Sequence, residues 1–227
     1  MKYLVLNHIP RCGGSSLKRG FYEGYKNNEH FQQAPAYISQ FTHGNMCLYE
    51  QPHLIDTIHS DTLMFIDHSP SYYIEDIFKL SIEDTYRILT IRDPVKRVIS
   101  HIHYFYGQHI DNLSENLLNN YLDRFGNMTI EYLTNVKYKE KSLKEKYEIA
   151  IEELKKYNFI FQVENQKLCE IFNDSNPFQL HITNHHMNRS PVDSDSIIGD
   201  KVKNIICNKI KYEIQLLQNF YNTDLII

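Results

Sequence analysis

Apolar positions along the chain fall into short runs separated by longer amphipathic stretches. Tyr3 to Asn7, Leu63-Met64-Phe65-Ile66, Tyr86 to Ile91 and Phe159 to Val163 are compact runs rich in β-branched and aromatic residues. Runs of that length bounded by polar residues predict buried strands. Between them the spacing becomes helical. Ser15 to Tyr25 predicts a helix with Ser15 or Ser16 as N-cap, and Tyr72 to Leu80 a short one. A third helix should start at Pro94, where proline suits the first turn, and reach about Tyr106. Asp111 to Asn158 is polar, charged and helical in pattern. Glu152 and Lys156 within it are spaced for mutual support on a solvated face. Gln166 to Phe172 and Ile197 to Tyr221 complete the helices, while residues 26–60 and Thr183 to Ser196 read as irregular. Strands separated by helices predict parallel βαβ units, hence a three-layer α/β sandwich around a central parallel sheet.

At 227 residues the chain fits a single domain, 1–227, with a mainly helical insertion over about 111–158. Hydrophobic content of 42% and charged content of 23% are those of an ordinary globular protein. A net charge of −4 argues against a broad nucleic-acid-binding surface. Cys12, Cys47, Cys169 and Cys207 form no CxxC pair, which argues against a zinc finger or disulfide framework and for reduced thiols. The start, Met-Lys followed by strand-like sequence, has no signal-peptide pattern, and no apolar run approaches the ~20 residues of a membrane span. Together these predict a cytoplasmic protein without a transmembrane segment.

The chemistry concentrates in HIPRCGGSSL, His8 to Leu17, between the first strand and the first helix. Backbone N–H groups at Gly13, Gly14, Ser15 and Ser16 would face an anion at a helix N-terminus. Glycine lets the backbone come close. The Ser15 and Ser16 hydroxyls add donors, and Arg11 a charge-assisted one. A nucleotide-hydrolysing P-loop, GxxxxGK[ST], fits poorly, because the glycines are adjacent and no Gly-Lys-Ser/Thr follows. A cysteine phosphatase would use Cys12 as nucleophile, but it needs an arginine six positions later, where Lys18 stands and Arg19 is one residue late. The bland reading of Cys12 is a small loop-filling residue.

A second motif, TIRDPVKRVISHIHYF, Thr90 to Phe105, carries Arg92 off a strand end and Ser100 about two turns into the next helix. Arg97 lies one turn before Ser100, placed to pair with acids or with a ligand. HIPRCGGSSL resembles the loop of glycan-type sulfotransferases, including the heparan-sulfate 2-O-sulfotransferases. RDPVKRVIS resembles that family's RDPxxRxxS site. The resemblance implies a P-loop-like fold and 3′-phosphoadenosine 5′-phosphosulfate (PAPS) as donor. It implies that Arg11, Cys12, Gly13, Gly14, Ser15 and Ser16 hold the 5′-phosphosulfate, and that Arg92 and Ser100 hold the 3′-phosphate. His186-Met187-Asn188-Arg189-Ser190 is similar to the family's Asn-Lys-Ser loop, which adds Arg189 and Ser190 to the donor site. Phe220 to Leu225 is similar to its terminal Tyr…Asp-Leu segment.

The resemblance further implies in-line transfer of a sulfuryl group to a hydroxyl, on a carbohydrate or glycan, with no metal. Arg11 stands where the family has lysine. It can stabilise charge on the leaving oxygen but is a poor proton donor. Phe41-Thr42-His43-Gly44-Asn45 is similar to the family's His-Gly-His stretch. His43 matches the first histidine and is the candidate base; Asn45 replaces the second. His68, beside Asp67, is the rival base. His8, His101 and His103 read as packing or hydrogen-bonding residues. Two alternatives stand beside this reading. One is a nucleotide-dependent kinase. The other is a catalytically impaired protein that binds PAPS or its product, suggested by Arg11 and Asn45.

Overall fold

A computed structural model describes residues 3–26, 63–67, 81–107, 109–134, 138–165, 167–183 and 198–221. Strand β1 (Tyr3–His8) leads into helix α1 (Gly14–Lys26). Then come β2 (Leu63–Asp67), β3 (Thr85–Ile91) and α2 (Pro94–Tyr106). Helices α3 (Glu115–Phe125), α4 (Met128–Thr134) and α5 (Leu143–Leu154) precede β4 (Phe159–Gln162). Helices α6 (Leu168–Ser175), α7 (Asp200–Lys209) and α8 (Lys211–Tyr221) follow. Predicted segments 26–60 and Thr183 to Ser196 lie mostly, and Tyr72 to Leu80 wholly, outside the described residues.

The described strands form one parallel sheet in the order β2-β1-β3-β4. Strand alternation divides the core into two layers. Leu4, Leu6, Tyr86, Ile88, Phe159 and Phe161 face one side, where they pack with Leu17 and Phe21 of α1 and Phe172 of α6. Leu89 and Ile91 face the other, with Ile130 and Leu133 of α4, Leu154 of α5 and Leu216 and Leu217 of α8. Helices therefore cover both faces, the expected three-layer α/β arrangement. A third cluster joins α2 to α3 and α7 through Val98, Ile102, Leu118, Leu122 and Ile206. Helices α3, α4 and α5, within the stretch read as an insertion, thus bury side chains in two of the three clusters.

Two glycines on α1 have a packing reason. A Cβ on Gly20 would meet the Thr183 carbonyl oxygen at 2.2 Å, and one on Gly24 the His181 carbonyl oxygen at 2.4 Å. The backbone of 181–183 lies directly on that helix.

Four details differ from the sequence-based expectation. Helix α1 starts at Gly14, so Ser15 and Ser16 occupy its first turn and not the cap position. The last helix is two, broken at Ile210, whose side chain lies 2.8 Å from where a Gly126 Cβ would be. The surface pairs are Glu152–Lys155 and Glu153–Lys156, each at i,i+3, in place of Glu152–Lys156. Helix α6 runs later than predicted, to Ser175.

Candidate anion site at two strand tips

Adjacent parallel strands β1 and β3 end in register, with His8 opposite Thr90. Both chains leave the sheet at the same edge, the carboxyl edge where α/β folds place ligands. After β1 the chain makes a tight turn, closed by the Cys12 N–H donating to the Ile9 carbonyl across 3.0 Å. Arg11 (φ 67) and Gly13 (φ 68) are both left-handed. That conformation is routine for Gly13 and costs Arg11 roughly 1 kcal/mol. Gly13 also has no room for a side chain: a Cβ there would meet Val163 Cγ2 at 2.9 Å. The Gly13 carbonyl accepts from the Ser16 and Leu17 amides at 3.1 and 3.2 Å. The Ser16 N–H is thus engaged within the loop, a correction to the expectation that it faces a ligand. Gly14 and Ser15 are left as the first-turn amides, which have no partner within the helix. Of Ser15 only the backbone is described.

After β3, Asp93 caps α2, its side chain accepting from the Lys96 N–H at 2.8 Å, and Pro94 opens the helix. The two motifs then meet. Arg11 donates through Nε to Ser100 Oγ at 3.2 Å. Arg92 donates through Nη1 to the Arg11 carbonyl at 3.3 Å. Burial, and then the Arg92 charge, lower the Arg11 pKa. Two guanidinium groups are therefore held close together at one end of the sheet, where an anion would relieve their repulsion.

Two further residues belong to this site. Glu164, just past β4, lies 3.7 Å from Arg92 Nε and accepts from the Asp93 N–H at 3.3 Å. A strand-end acid becomes informative only once β4 is known to neighbour β3. Tyr104 presents its ring to Arg11, with Cζ 4.9 Å from the ring centroid. It stands one turn after Ser100 on α2, so helical spacing would have put it on the Ser100 face.

Beneath the loop, a cavity of about 80 Å³ is lined by Cys12, Gly13, Ser16, Thr90, Gln162 and Asn165, among others. Thr90 is 1% exposed, and its Oγ1 has no hydrogen-bond partner among the described residues. A buried hydroxyl without a partner beside a helix N-terminus fits a polar ligand better than apolar filling does. Arg11, Arg92 and Ser100 stand at the same end of the sheet, outside the lining of this cavity, and add donors suited to an anion.

The remaining predicted residues divide clearly. Cys12 is not poised as a nucleophile. Burial pushes its thiol up to about 12, against a smaller opposing effect of Arg97, and its side chain packs with Ile9 and Leu89. That disfavours phosphatase chemistry, which needs a thiolate. Arg97 pairs with an acid. Fully buried, it lies 3.5 Å from Glu213 and donates to the Phe125 and Gly126 carbonyls at the end of α3. Glu213 in turn accepts from the Thr129 N–H at 3.0 Å and the Ile130 N–H at 3.2 Å, at the start of α4. The pair thus joins a helix C-terminus to a helix N-terminus, each charge matching its dipole. His101 is the packing residue expected. It shares a 2.6 Å hydrogen bond with the Tyr121 hydroxyl. Burial and the Arg97 and Arg11 charges lower its pKa to about 4. His43, Asn45, His68, Arg189 and Ser190 lie outside the described residues.

No protein-family model matches the chain, and no curated protein matches it. Among solved structures, the chain is similar to the crystal structure of a sulfotransferase from Alicyclobacillus acidocaldarius. The two share 13% identity with a TM-score of 0.48, over 99% of this chain and 97% of the other. A likeness of that degree does not carry chemistry from one protein to the other.

Proposed function

We propose that this chain is a PAPS-dependent sulfotransferase that transfers a sulfuryl group to a hydroxyl of a carbohydrate or glycan. The supporting observation is the junction of the two motifs: Arg92 bonded to the Arg11 carbonyl, and Arg11 bonded to Ser100. A donor with phosphate-bearing groups at both ends requires two anion sites within one nucleotide's span. In this reading the donor supplies an activated sulfuryl group, and the chain supplies alignment and charge neutralisation. Gly13, Gly14, Ser15 and Ser16 form the cradle for the 5′-phosphosulfate, with Ser16 contributing its hydroxyl because its amide is engaged. Cys12 fills the turn beneath them. Arg11 stabilises charge on the oxygen that leaves sulfur. Arg92 and Ser100 hold the 3′-phosphate, and Arg189 and Ser190 close over the nucleotide.

His43 takes the proton from the attacking hydroxyl, with His68 as the alternative base. The unit is one domain, 1–227, and its place is the cytoplasm, in keeping with the free thiols of Cys12, Cys169 and Cys207. None of the described helices is long and apolar enough to cross a membrane.

Labelled PAPS offered with a panel of glycans, lipids and small alcohols tests the activity and identifies the acceptor. The expected result is label transfer to a carbohydrate hydroxyl. His43→Ala should abolish transfer while leaving donor binding intact. Full turnover in that variant moves the base to His68. Label transfer to no acceptor, with stabilisation of the chain by Mg-ATP alone, contradicts the proposal.

A further inference from the structure

Tyr104 occupies the last turn of α2 and is 69% exposed, so core packing does not hold it there. What it touches is the Arg11 guanidinium, 4.9 Å above its ring centroid. We propose that Tyr104 is a positioning residue for Arg11: its ring face sets the plane of the guanidinium and presents its N–H edges to an incoming anion. The inference rests on the sulfuryl-transfer reading of Arg11 and adds a residue one turn beyond the RDPVKRVIS core of the second motif.

Three restraints act together on Arg11. The left-handed backbone (φ 67) fixes where its side chain starts. Ser100 Oγ holds Nε at 3.2 Å. These two leave the guanidinium free to rotate about the remaining torsions, and an aromatic face beneath it removes that freedom. The planar guanidinium stacks on rings, whereas a lysine ammonium is a point charge with no plane to set.

Electrostatics explains why a ring suits this place. Burial first, and the neighbouring Arg92 charge second, disfavour the charged form of Arg11. A carboxylate beside Arg11 would offset the Arg92 charge, but it would also compete for the same N–H groups as an anionic ligand. Among the described residues no carboxylate pairs with Arg11, whereas Glu164 stands beside Arg92. The negative face of an aromatic ring attracts the cation without occupying any of its donors.

Calorimetric titration of adenosine 3′,5′-bisphosphate into the wild-type chain, Tyr104→Ala, Tyr104→Phe, Arg11→Lys and the Arg11→Lys/Tyr104→Ala double variant tests this. Tyr104→Ala should weaken binding about 5-fold in the wild-type background and less than about 2-fold in the Arg11→Lys background, while Tyr104→Phe stays within about 2-fold of wild type. Thermal unfolding midpoints should not move. Equal losses in both backgrounds, damage by Tyr104→Phe as large as by Tyr104→Ala, or a fall in midpoint that tracks the lost affinity each overturn the inference alone. No binding to the wild-type chain overturns the sulfuryl-transfer reading, and this inference with it.

Discussion

The Arg92 guanidinium donates to the Arg11 carbonyl across 3.3 Å, although the two residues are 81 positions apart. The bond is possible because β1 and β3 are parallel neighbours ending in register. It fixes the backbone of a residue held in a left-handed conformation, and it places a second positive charge beside the first. Sequence motifs that are remote along the chain become one site through a single strand pairing.

The buried Arg97–Glu213 pair predicts a large effect on stability. Both side chains are 0% exposed, and between them they satisfy backbone groups at the end of α3 and the start of α4. Removing one partner leaves the other charge buried and uncompensated. Glu213→Ala should therefore lower unfolding free energy by about 3–5 kcal/mol. Urea denaturation checks this; a loss below about 1 kcal/mol, the range of an exposed pair, would contradict it.

His101 predicts a pH dependence. Its pKa in the folded chain is about 4, against an ordinary 6.5, because burial and the Arg97 and Arg11 charges disfavour the imidazolium. The unfolded chain therefore binds a proton between those values that the folded chain does not. The stability involved is fully present above about pH 6.5 and is lost as pH falls toward 4, by at most about 1.4 kcal/mol per pH unit. Urea midpoints at pH 7 and pH 5 should fall more in the wild type than in His101→Gln. Equal falls in the two would show that His101 does not titrate differently on folding.

Cys12 predicts chemical silence. With its thiol buried and pushed up to about 12, it should resist iodoacetamide in the native chain at pH 8, while the partly exposed Cys207 is alkylated. Mass spectrometry of the digested protein separates the two sites. Faster modification of Cys12 than of Cys207 would revive the nucleophile reading.

The central sheet and the two motifs were legible because each rests on local information. Strand β3 is a short run of β-branched, aliphatic and aromatic residues interrupted by Arg87, and Asp93-Pro94 marks the start of α2 by cap and proline chemistry. Features fixed by tertiary contact were not. The break at Ile210 accompanies long-range contacts, Ile210 against Gly126 and Glu213 on the N–H groups of α4, that nothing near Ile210 in the sequence announces. The Ser16 amide looked available because the αL residue at Gly13, which draws it back, cannot be read from a Gly-Gly pair. Glu164 was invisible because its meaning depends on which strand lies beside β3. The role expected of Arg97 was ambiguous for the same reason: its partner is 116 residues away along the chain.

The account depends on two anion sites sharing one nucleotide, and calorimetry tests it directly. Adenosine 3′,5′-bisphosphate and adenosine 5′-phosphate are titrated, without magnesium, into the wild-type chain and into Arg92→Ala. The bisphosphate should bind the wild type roughly 10- to 100-fold more tightly than the monophosphate, and Arg92→Ala should erase that advantage, weakening the bisphosphate far more than the monophosphate. Equal affinity of the wild type for the two nucleotides, or an advantage that survives the loss of Arg92, would contradict it.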